Sequence, residues 1–365
     1  MTTSSPPRSS VRSCRLGDIA SVRYGKARPA NSGDVPVIGS GGVYAYTDEP
    51  LADETAIVVG RKGTAGRVIF PQRPSWPSDT TFFIEPDTSS ISPAFLALYL
   101  QHANLSSDST KTTMPSLQAQ QLTELQVNLP DLQEQRRIAR ILSTIQTARS
   151  AETAALERTR QLRTTLARRL LEPRAGWARS VPFREVVEIA SGQVDPREEP
   201  YASLPHVAPD NIESNTGRLL PVKSARVLGL ISGKYRFQPG DVLYSKIRPY
   251  LNKAAIAPFA GTCSADMYVL RGVAGRINNQ FLLYLLLSDT FLVQATSHQN
   301  RTGIPKINRQ QLDSILLDFP PLDEQQDIAR SLMTVDAAQL RSLTVAEAID
   351  GVFESTLVHL LESAV

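Results

Sequence analysis

Two kinds of hydrophobic pattern alternate along this chain, and each kind occurs twice. Between residues 16 and 130 the apolar runs are short, such as Ala56-Ile57-Val58-Val59 and Phe82-Phe83-Ile84, with Gly, Pro and Asn between them. That pattern predicts strands joined by turns and loops. Residues 91–102 read as one helix. Residues 183–320 repeat the plan, with strands around Asp241-Val242-Leu243-Tyr244 and Met267-Tyr268-Val269-Leu270 and a helix over about 279–288. Each of these mixed parts is followed by a long helical segment, 133–172 and 323–362, with no proline and a single glycine, Gly351. Apolar residues recur there at a spacing of 3.5 to 3.6: Ile138, Ile141, Ile145, Ala148, Ala155, Leu162 and Leu166, then Ile328, Leu332, Val335, Ala338, Val345, Ile349 and Val352. A seam of that period on an uninterrupted helix predicts a coiled coil. Asp131 with Glu134 predicts a capping box at the first helix start, and Pro321 suits the first turn of the second.

The repetition extends to identical residues. Pro115, Gln120, Gln121, Leu122, Pro130, Leu132, Glu134, Gln135, Ile138, Ala139 and Arg140 all recur 190 positions later without a gap, from Pro305 to Arg330. The openings of the two halves, Leu16–Gly25 and Phe183–Gly192, align at an offset of 167 instead. The second module is therefore about two dozen residues longer between its opening and its closing helix. A period this long marks two copies of a whole module.

Charge decides how the long helices pair. Residues 133–172 carry nine Arg and four Glu, a net of +5, whereas 323–362 carry two Arg and eight Asp or Glu, a net of −6. Opposite charge favours pairing of the two helices within one chain over pairing of like with like in a dimer. The second module connects the end of the first helix to the start of the second. Parallel pairing would require it to reach back about 60 Å, the length of forty helical residues. Antiparallel pairing is expected, with the modules at opposite ends of a rigid spacer.

The remaining composition sets bounds. A chain of 365 residues accommodates two ordinary domains. Net charge is +3, so the part outside the helices carries +4, which is only mildly basic. Two cysteines, Cys14 and Cys263, make no disulfide framework and point to a reducing compartment. The apolar run Phe281–Leu287 is too short to span a bilayer. Residues 1–14, rich in Ser, Pro and Arg, read as a disordered arm and not as a secretory signal. A soluble cytoplasmic protein is expected. The domain reading is an arm over 1–14, a first module over 15–130, a helix over 131–172, a second module over 173–320 and a helix over 321–365.

Chemistry-bearing segments are modest. The first module has Val37-Ile38-Gly39-Ser40-Gly41-Gly42 and Val59-Gly60-Arg61-Lys62-Gly63-Thr64-Ala65-Gly66. Glycines let backbone N–H groups approach a ligand, and Arg61 and Lys62 add charge suited to phosphate. The second module has Tyr244-Ser245-Lys246-Ile247-Arg248-Pro249-Tyr250-Leu251-Asn252-Lys253. Lys246, Arg248 and Lys253 are candidate phosphate contacts, with Tyr244 and Tyr250 packed beside them. On the residues alone, both segments are equally an ordinary Gly-rich hairpin and a solvated strand edge. Catalytic constellations are missing from the sequence. Gly60–Gly66 lacks the Gly-Lys-Ser/Thr of a P-loop, and His102, His206, His298 and His359 have no metal-ligand spacing. Asp79 and Glu85 lie close together, but no Glu-x-Lys completes a nuclease-like site. No methyl-donor turn and no Asn-Pro-Pro-Tyr-like motif is present.

With this organisation the chain resembles the DNA-specificity subunits of type I restriction–modification systems. The resemblance rests on the doubled Leu-x-Glu-Gln-x-x-Ile-Ala-Arg blocks ending at Arg140 and Arg330, on Ile38–Gly42 with Gly60–Gly66, on Trp76–Thr80, and on Phe237–Lys246. It covers about residues 15–362. It implies an α+β architecture: two α/β target-recognition domains separated by two long antiparallel coiled-coil helices, an internal repeat with pseudo-two-fold symmetry. It also implies a non-catalytic subunit that reads a bipartite site in double-stranded DNA, with Ser40, Gly41, Gly42, Arg61, Lys62, Lys246, Arg248, Tyr250 and Lys253 as the candidate DNA contacts. The implied partners are modification subunits, two per chain, and a restriction subunit in systems that cut. S-adenosylmethionine would belong to the modification subunit, and this chain would bind no cofactor or metal and meet no membrane. The first recognition domain, at about 115 residues, is short for the family. A non-catalytic coiled-coil adaptor whose end modules bind protein is the alternative.

Overall fold

The computed structural model describes residues 12–103, 105, 116–297 and 305–362, with backbone only for 359–362. The first eleven residues of the expected arm, Pro115, His298 and the side chain of His359 lie outside it. Contacts divide the chain into two units, residues 1–153 with 345–365, and residues 154–344. No helix among the described residues is long and apolar enough to cross a membrane.

Unit 1 opens with β1 (Arg12–Arg15), α1 (Leu16–Ile19), β2 (Ala20–Tyr24), β3 (Val35–Gly39) and β4 (Gly42–Thr47). It continues through β5 (Ile57–Gly60), β6 (Val68–Ile69), β7 (Trp76–Pro77), β8 (Thr81–Pro86) and α2 (Pro93–His102). It then passes α3 (Ala119–Thr123) and β9 (Gln126–Leu129) into the long helix α4 (Leu132–Leu170). Three sheets form, in the orders β2-β8-β5-β6, β4-β3-β7 and β1-β9.

Unit 2 repeats this order with additions. β10 (Ala178–Pro182), α5 (Phe183–Val186), β11 (Val187–Ile189), β12 (Gln193–Val194), β13 (Pro205–Val207) and β14 (Lys223–Ser224) come first. β15 (Lys234–Phe237), β16 (Val242–Ser245), β17 (Ala254–Ile256), β18 (Gly261–Cys263) and β19 (Met267–Gly272) follow. α6 (Asn279–Leu286), α7 (Asp289–Thr296), α8 (Arg309–Asp313), β20 (Leu316–Phe319) and α9 (Leu322–Glu362) complete it. Its sheets are β11-β19-β16-β17, β12-β15-β18-β13-β14 and β10-β20. In both units a four-stranded antiparallel sheet stands beside a mixed sheet in which one pair, β3 with β7 or β13 with β18, is parallel.

The two offsets in the sequence meet in one ladder per unit. β1 pairs antiparallel with β9, and β10 with β20, so the opening of each module is stitched to the residues that lead into its long helix. This corrects the reading of residues 12–14 as part of a disordered arm. Arg12 pairs with Leu129, and Cys14, opposite Val127, is buried.

The helices α2 and α6 are apolar all round, with Phe95 to Leu98 and Phe281 to Leu286 buried. A helix of that kind has to be covered on several sides. In unit 2 the sheet residues Val242 and Leu270 share one core with α6 and with Ile328, Ala329 and Leu332 of α9. In unit 1 Ile57, Phe82 and Ile84 share a core with α2 and with Ile138, Ala139 and Leu142 of α4. α7 was not anticipated in the sequence. Its N-cap Ser288 accepts from the Phe291 N–H and breaks it from α6.

α4 and α9 are 39 and 41 residues long. They run antiparallel: Arg149 pairs with Asp350 at 2.6 Å and Arg163 with Asp336 at 2.5 Å. Fourteen residues forward on α4, 149 to 163, are thus fourteen residues back on α9, 350 to 336. Opposite charge therefore forms the cross-links that the helices' composition anticipates. The apolar seam differs from the expected one in detail. Leu162, Val345 and Val352 are exposed, while Leu142, Phe353 and Leu357 are buried. Only half of the expected capping box forms. The Asp131 carboxylate accepts from the Glu134 N–H at 2.9 Å, but the Glu134 carboxylate binds the Arg137 guanidinium, which keeps its pKa low.

The repeated glutamine is the joint between module and helix. Gln135 is 1% exposed and Gln325 is fully buried. The Gln135 Oε1 accepts from the N–H of Ser92, the N-cap of α2, at 2.8 Å, and its Nε2 donates to the carbonyls of Ser90 and Pro130. The Gln325 Oε1 accepts from the N–H of Asn278, the N-cap of α6, at 2.8 Å, and its Nε2 donates to the carbonyls of Arg276 and Pro320. A buried backbone group left unpaired costs about 1–3 kcal/mol. Gln135→Ala and Gln325→Ala are each expected to destabilise their unit by about 2–4 kcal/mol, and Gln→Glu at either site also, since two donors are lost and a charge is buried. Urea unfolding of the variants checks this, and wild-type stability for Gln325→Ala would show that the joint lies elsewhere.

Candidate nucleic-acid interface

In unit 1 three separate motifs converge on Ser40. β3 and β4 are joined by the two-residue turn Ser40-Gly41, and Gly42 has φ of 120°, a conformation that favours glycine. The loop between β5 and β6 comes alongside. A Cβ on Gly60 would lie 2.2 Å from the Thr64 carbonyl oxygen and 3.2 Å from the Ser40 Cβ, so only glycine fits. The Trp76–Thr80 segment closes the third side, with the Ser40 N–H donating to Thr80 Oγ1 at 3.3 Å and the Ser78 and Thr80 hydroxyls 2.8 Å apart.

The two cations of this region have different surroundings. The Arg61 guanidinium packs over the contacting pair Tyr24 and Phe82, 5.4 and 5.9 Å from their ring centroids, which are themselves 4.9 Å apart, and its Nη2 donates to the Asp79 carbonyl at 2.7 Å. Its Nε is buried with no hydrogen-bond partner among the described residues. Lys62, next to it, is exposed. Sequence reasoning passed over Arg67, which is exposed and donates from Nη1 to the Gly41 carbonyl at 2.7 Å. It also passed over Tyr44 and Tyr46, 58% and 51% exposed on β4. The spacing Tyr-Ala-Tyr after a glycine pair was the available signal, but alternation gives no sign of which face is solvated.

Unit 2 places Lys246 where unit 1 places Arg61. The Leu117 N–H donates to the Arg61 carbonyl at 3.0 Å, and the Ile307 N–H donates to the Lys246 carbonyl at 2.9 Å, 190 residues on. Lys246 Nζ sits 4.8 and 4.4 Å from the ring centroids of Tyr235 and Tyr268 and donates to the Ala265 carbonyl at 2.8 Å. Burial there, with Lys306 nearby, holds its pKa below the usual lysine value. Lys253 is likewise committed, donating to the Pro209 carbonyl at 2.8 Å. Arg248 and Tyr250 are exposed on a short helical turn that begins with Arg248 at φ of 48°. Tyr244 does not lie beside the cations. It is 1% exposed, packs edge-on to Phe291 at 5.7 Å, and burial raises its pKa. The reason is strand alternation: Tyr244 lies on β16 opposite Tyr268 of β19, between that sheet and α7.

The Glu85 carboxylate is engaged within its own sheet. Glu85 pairs with Arg23 at 3.0 Å and accepts from Ser21. Among the described residues no group of three or more His, Cys, Asp or Glu is placed to hold a metal ion. Cys14 and Cys263 are both free and buried.

Two modules of one plan, each with a glycine- or proline-shaped loop carrying a cation packed on two aromatic rings and each joined to a long helix, define a doubled recognition scaffold. The chain belongs to the type I restriction–modification DNA specificity domain family, whose family model matches residues 9–158 and 179–347, one block in each half of the repeat. Over 148 residues it is 41% identical to the type I restriction enzyme EcoDI specificity subunit of Escherichia coli. That stretch is 40% of this chain and 32% of the relative, so the match spans about a third of the relative's length. In fold the chain is similar to the type I restriction–modification system S subunit from M. genitalium, with a TM-score of 0.71 over 98% of this chain and 97% of that one at 13% identity. A chain from a structure described as underlying complex assembly and conformational transition of the type I system matches with a TM-score of 0.51 at 17% identity, over 98% of both chains.

Arg61→Ala is expected to lower the melting temperature of the chain, because it uncovers the Tyr24–Phe82 pair and frees the Asp79 carbonyl. Lys62→Ala is expected to leave melting unchanged and to reduce DNA affinity on every sequence alike, lowering the salt slope by about one unit. Thermal melting and binding titrations at several salt concentrations measure both. The opposite assignment of the two effects would overturn this reading of the pair.

Proposed function

We propose that this chain is the DNA-specificity subunit of a type I restriction–modification complex, reading a bipartite site in double-stranded DNA with one half-site per module. The observation that carries the reading is the duplication of one constellation. Arg61 and Lys246 occupy the same position in two modules, and each module is fixed to a long helix through a buried glutamine. One module suffices to read one short sequence, so two copies on paired helices suit a site in two parts. Each loop offers exposed cations, Lys62 and Arg67 in one and Arg248 in the other, suited to phosphate. Ser40, Gly41 and Gly42 bring backbone close to the same surface.

In this reading α4 and α9, about 60 Å long at 1.5 Å per residue, set the distance between half-sites and receive two modification subunits per chain. The modification subunits hold S-adenosylmethionine and transfer the methyl group, and a restriction subunit cuts where the system has one. The chain itself is non-catalytic and cytoplasmic. The adaptor reading makes a different forecast, because only phosphate neutralisation gives DNA affinity a steep salt dependence.

Methylome sequencing with and without the gene tests the function, and the bipartite motif should vanish with the gene. The ruler is tested by inserting four residues after Ala148 and four after Asp350, opposite each other in the antiparallel pair. Four residues add about 6 Å and just over one helical turn, or one to two base pairs at about 3.4 Å each. The methylated motif is expected to keep both half-sites and gain spacer bases. New half-site sequences with the old spacer would mean the helices do not set the distance.

A further inference from the structure

Within unit 1 three exposed apolar side chains gather on one strand. Val43, Tyr44 and Tyr46 of β4 are 53%, 58% and 51% exposed. β4 is an edge strand of the sheet β4-β3-β7. Edges are usually blunted with charge, not with aromatic rings, and contiguous exposed apolar groups mark contact sites. The register slips between Val37, opposite Ala45, and Ile38, opposite Val43, which leaves Tyr44 unpaired as a bulge. Bulges re-aim a side chain. The Tyr44 ring lies across Gly39, where a Cβ would stand 3.3 Å from two ring carbons, so the absence of a side chain at Gly39 gives the ring its resting place.

An exposed guanidinium stands at each end of this strand, with the exposed Asp34, Asp48 and Glu49 also at one end. The exposed Arg67 donates to the Gly41 carbonyl at one end of the β3–β4 hairpin, and the exposed Arg73 donates to the Asp34 carbonyl at the other, both at 2.7 Å. The nearby carboxylate of Asp48 is hydrogen-bonded to the Asn31 side chain. Rings between two guanidinium groups match a duplex, in which base edges lie in a groove between two rows of phosphates.

In unit 2 exposed apolar side chains follow the same topological position, whose strand is Lys223-Ser224 itself. β14 is the edge of its sheet and runs antiparallel to β13, which is parallel to β18, as β4 is antiparallel to β3 and β3 parallel to β7. The chain just after β14 exposes Val227 at 68%, Leu228 at 45% and Ile231 at 77%.

We propose that Tyr44 and Tyr46 are specificity-determining contacts to base edges of the half-site read by unit 1, and that Val227 and Ile231 are their counterparts in unit 2. This rests on the DNA-reading function proposed above. The two sets differ in chemistry. A phenol hydroxyl exchanges hydrogen bonds with a base edge, whereas Val and Ile offer only apolar contact, of the kind that suits a thymine methyl. The units therefore discriminate different bases, although they share a scaffold.

The test uses the full chain assembled with the modification subunits of its own system. The wild-type motif is mapped first from methylated bases, and duplexes carrying each single base-pair change are then titrated. Tyr44→Ala and Tyr46→Ala are each expected to cut discrimination about 5- to 100-fold at one or two base pairs of one half-site, leaving the other half-site and the salt slope unchanged. Val227→Ser with Ile231→Ser is expected to do the same in the other half-site. Should Tyr44→Ala melt early, Tyr44→Phe, which keeps the ring over Gly39, and Tyr46→Ala carry the test. Unchanged discrimination at every base pair would overturn the assignment, as would an equal loss on all duplexes with a shallower salt slope, and either would leave DNA reading intact. Failure of the wild-type complex to bind any motif selectively would instead sink the function beneath it.

Discussion

Each half of this protein depends on one buried amide. A long helix and a mixed module have little reason to keep a fixed angle if only apolar side chains lie between them, because apolar contact is non-directional. Gln135 and Gln325 supply direction. Each accepts from the N-cap N–H of the module's own helix and donates to two carbonyls, one of them five residues back in its own chain. Both glutamine side chains are buried, where hydrogen bonds are stronger than in water and a missing partner is costly. The start of the helix, the cap of α2 or α6 and the strand leading out of the module are thereby held as one piece. The Ile and Ala that follow in the repeated block, Ile138 and Ala139 or Ile328 and Ala329, fill the core immediately behind that joint.

A rigid joint gives the duplication its meaning. The scaffold around the cation is the same in both units down to individual backbone bonds: Arg61 N–H to Thr80 and Lys246 N–H to Asp266, at 2.9 and 2.8 Å. What differs lies at the edge strands and in the length between them. β3 to β5 occupies Val35–Gly60, whereas β13 to β16 occupies Pro205–Ser245 and includes the added strand β15. Keeping the frame while changing an edge is a way to alter what is recognised without disturbing the core, since edge side chains make few buried contacts.

The packed cations show what residue type leaves open. Lys246 and Lys253 read as phosphate contacts because they stand in a basic, tyrosine-rich segment, yet both ammonium groups end on backbone carbonyls of their own module. Arg61 behaves likewise, while its neighbour Lys62 is exposed. A string of residues carries no record of whether a long side chain folds back onto its own module or extends into water, and rotation about a few bonds separates the two outcomes. Tyr244 shows the stricter case, since a place on a strand between sheet and helix buries it whatever its neighbours in sequence carry.

Periodicity, charge, connector reach and recurring residues, all properties of the string, determined the long helices, their pairing, its antiparallel sense and the doubled plan. A 3.6-residue period without proline over forty positions, and a helix of net +5 beside one of net −6, leave few alternatives, because the signal is summed over many residues. The repeated Glu-Gln block was legible as a repeat, but its purpose was not. Only the tertiary structure showed that its glutamine reaches Ser92 or Asn278, more than forty residues away. The seam at Phe353 and Leu357, the strand at Arg12–Arg15, the convergence of three motifs on Ser40 and the exposure of Tyr44 and Tyr46 were likewise decided in three dimensions. The physical reason is common to all of them. Each depends on which surface another segment covers, and burial is a property of pairs of elements, not of either one alone.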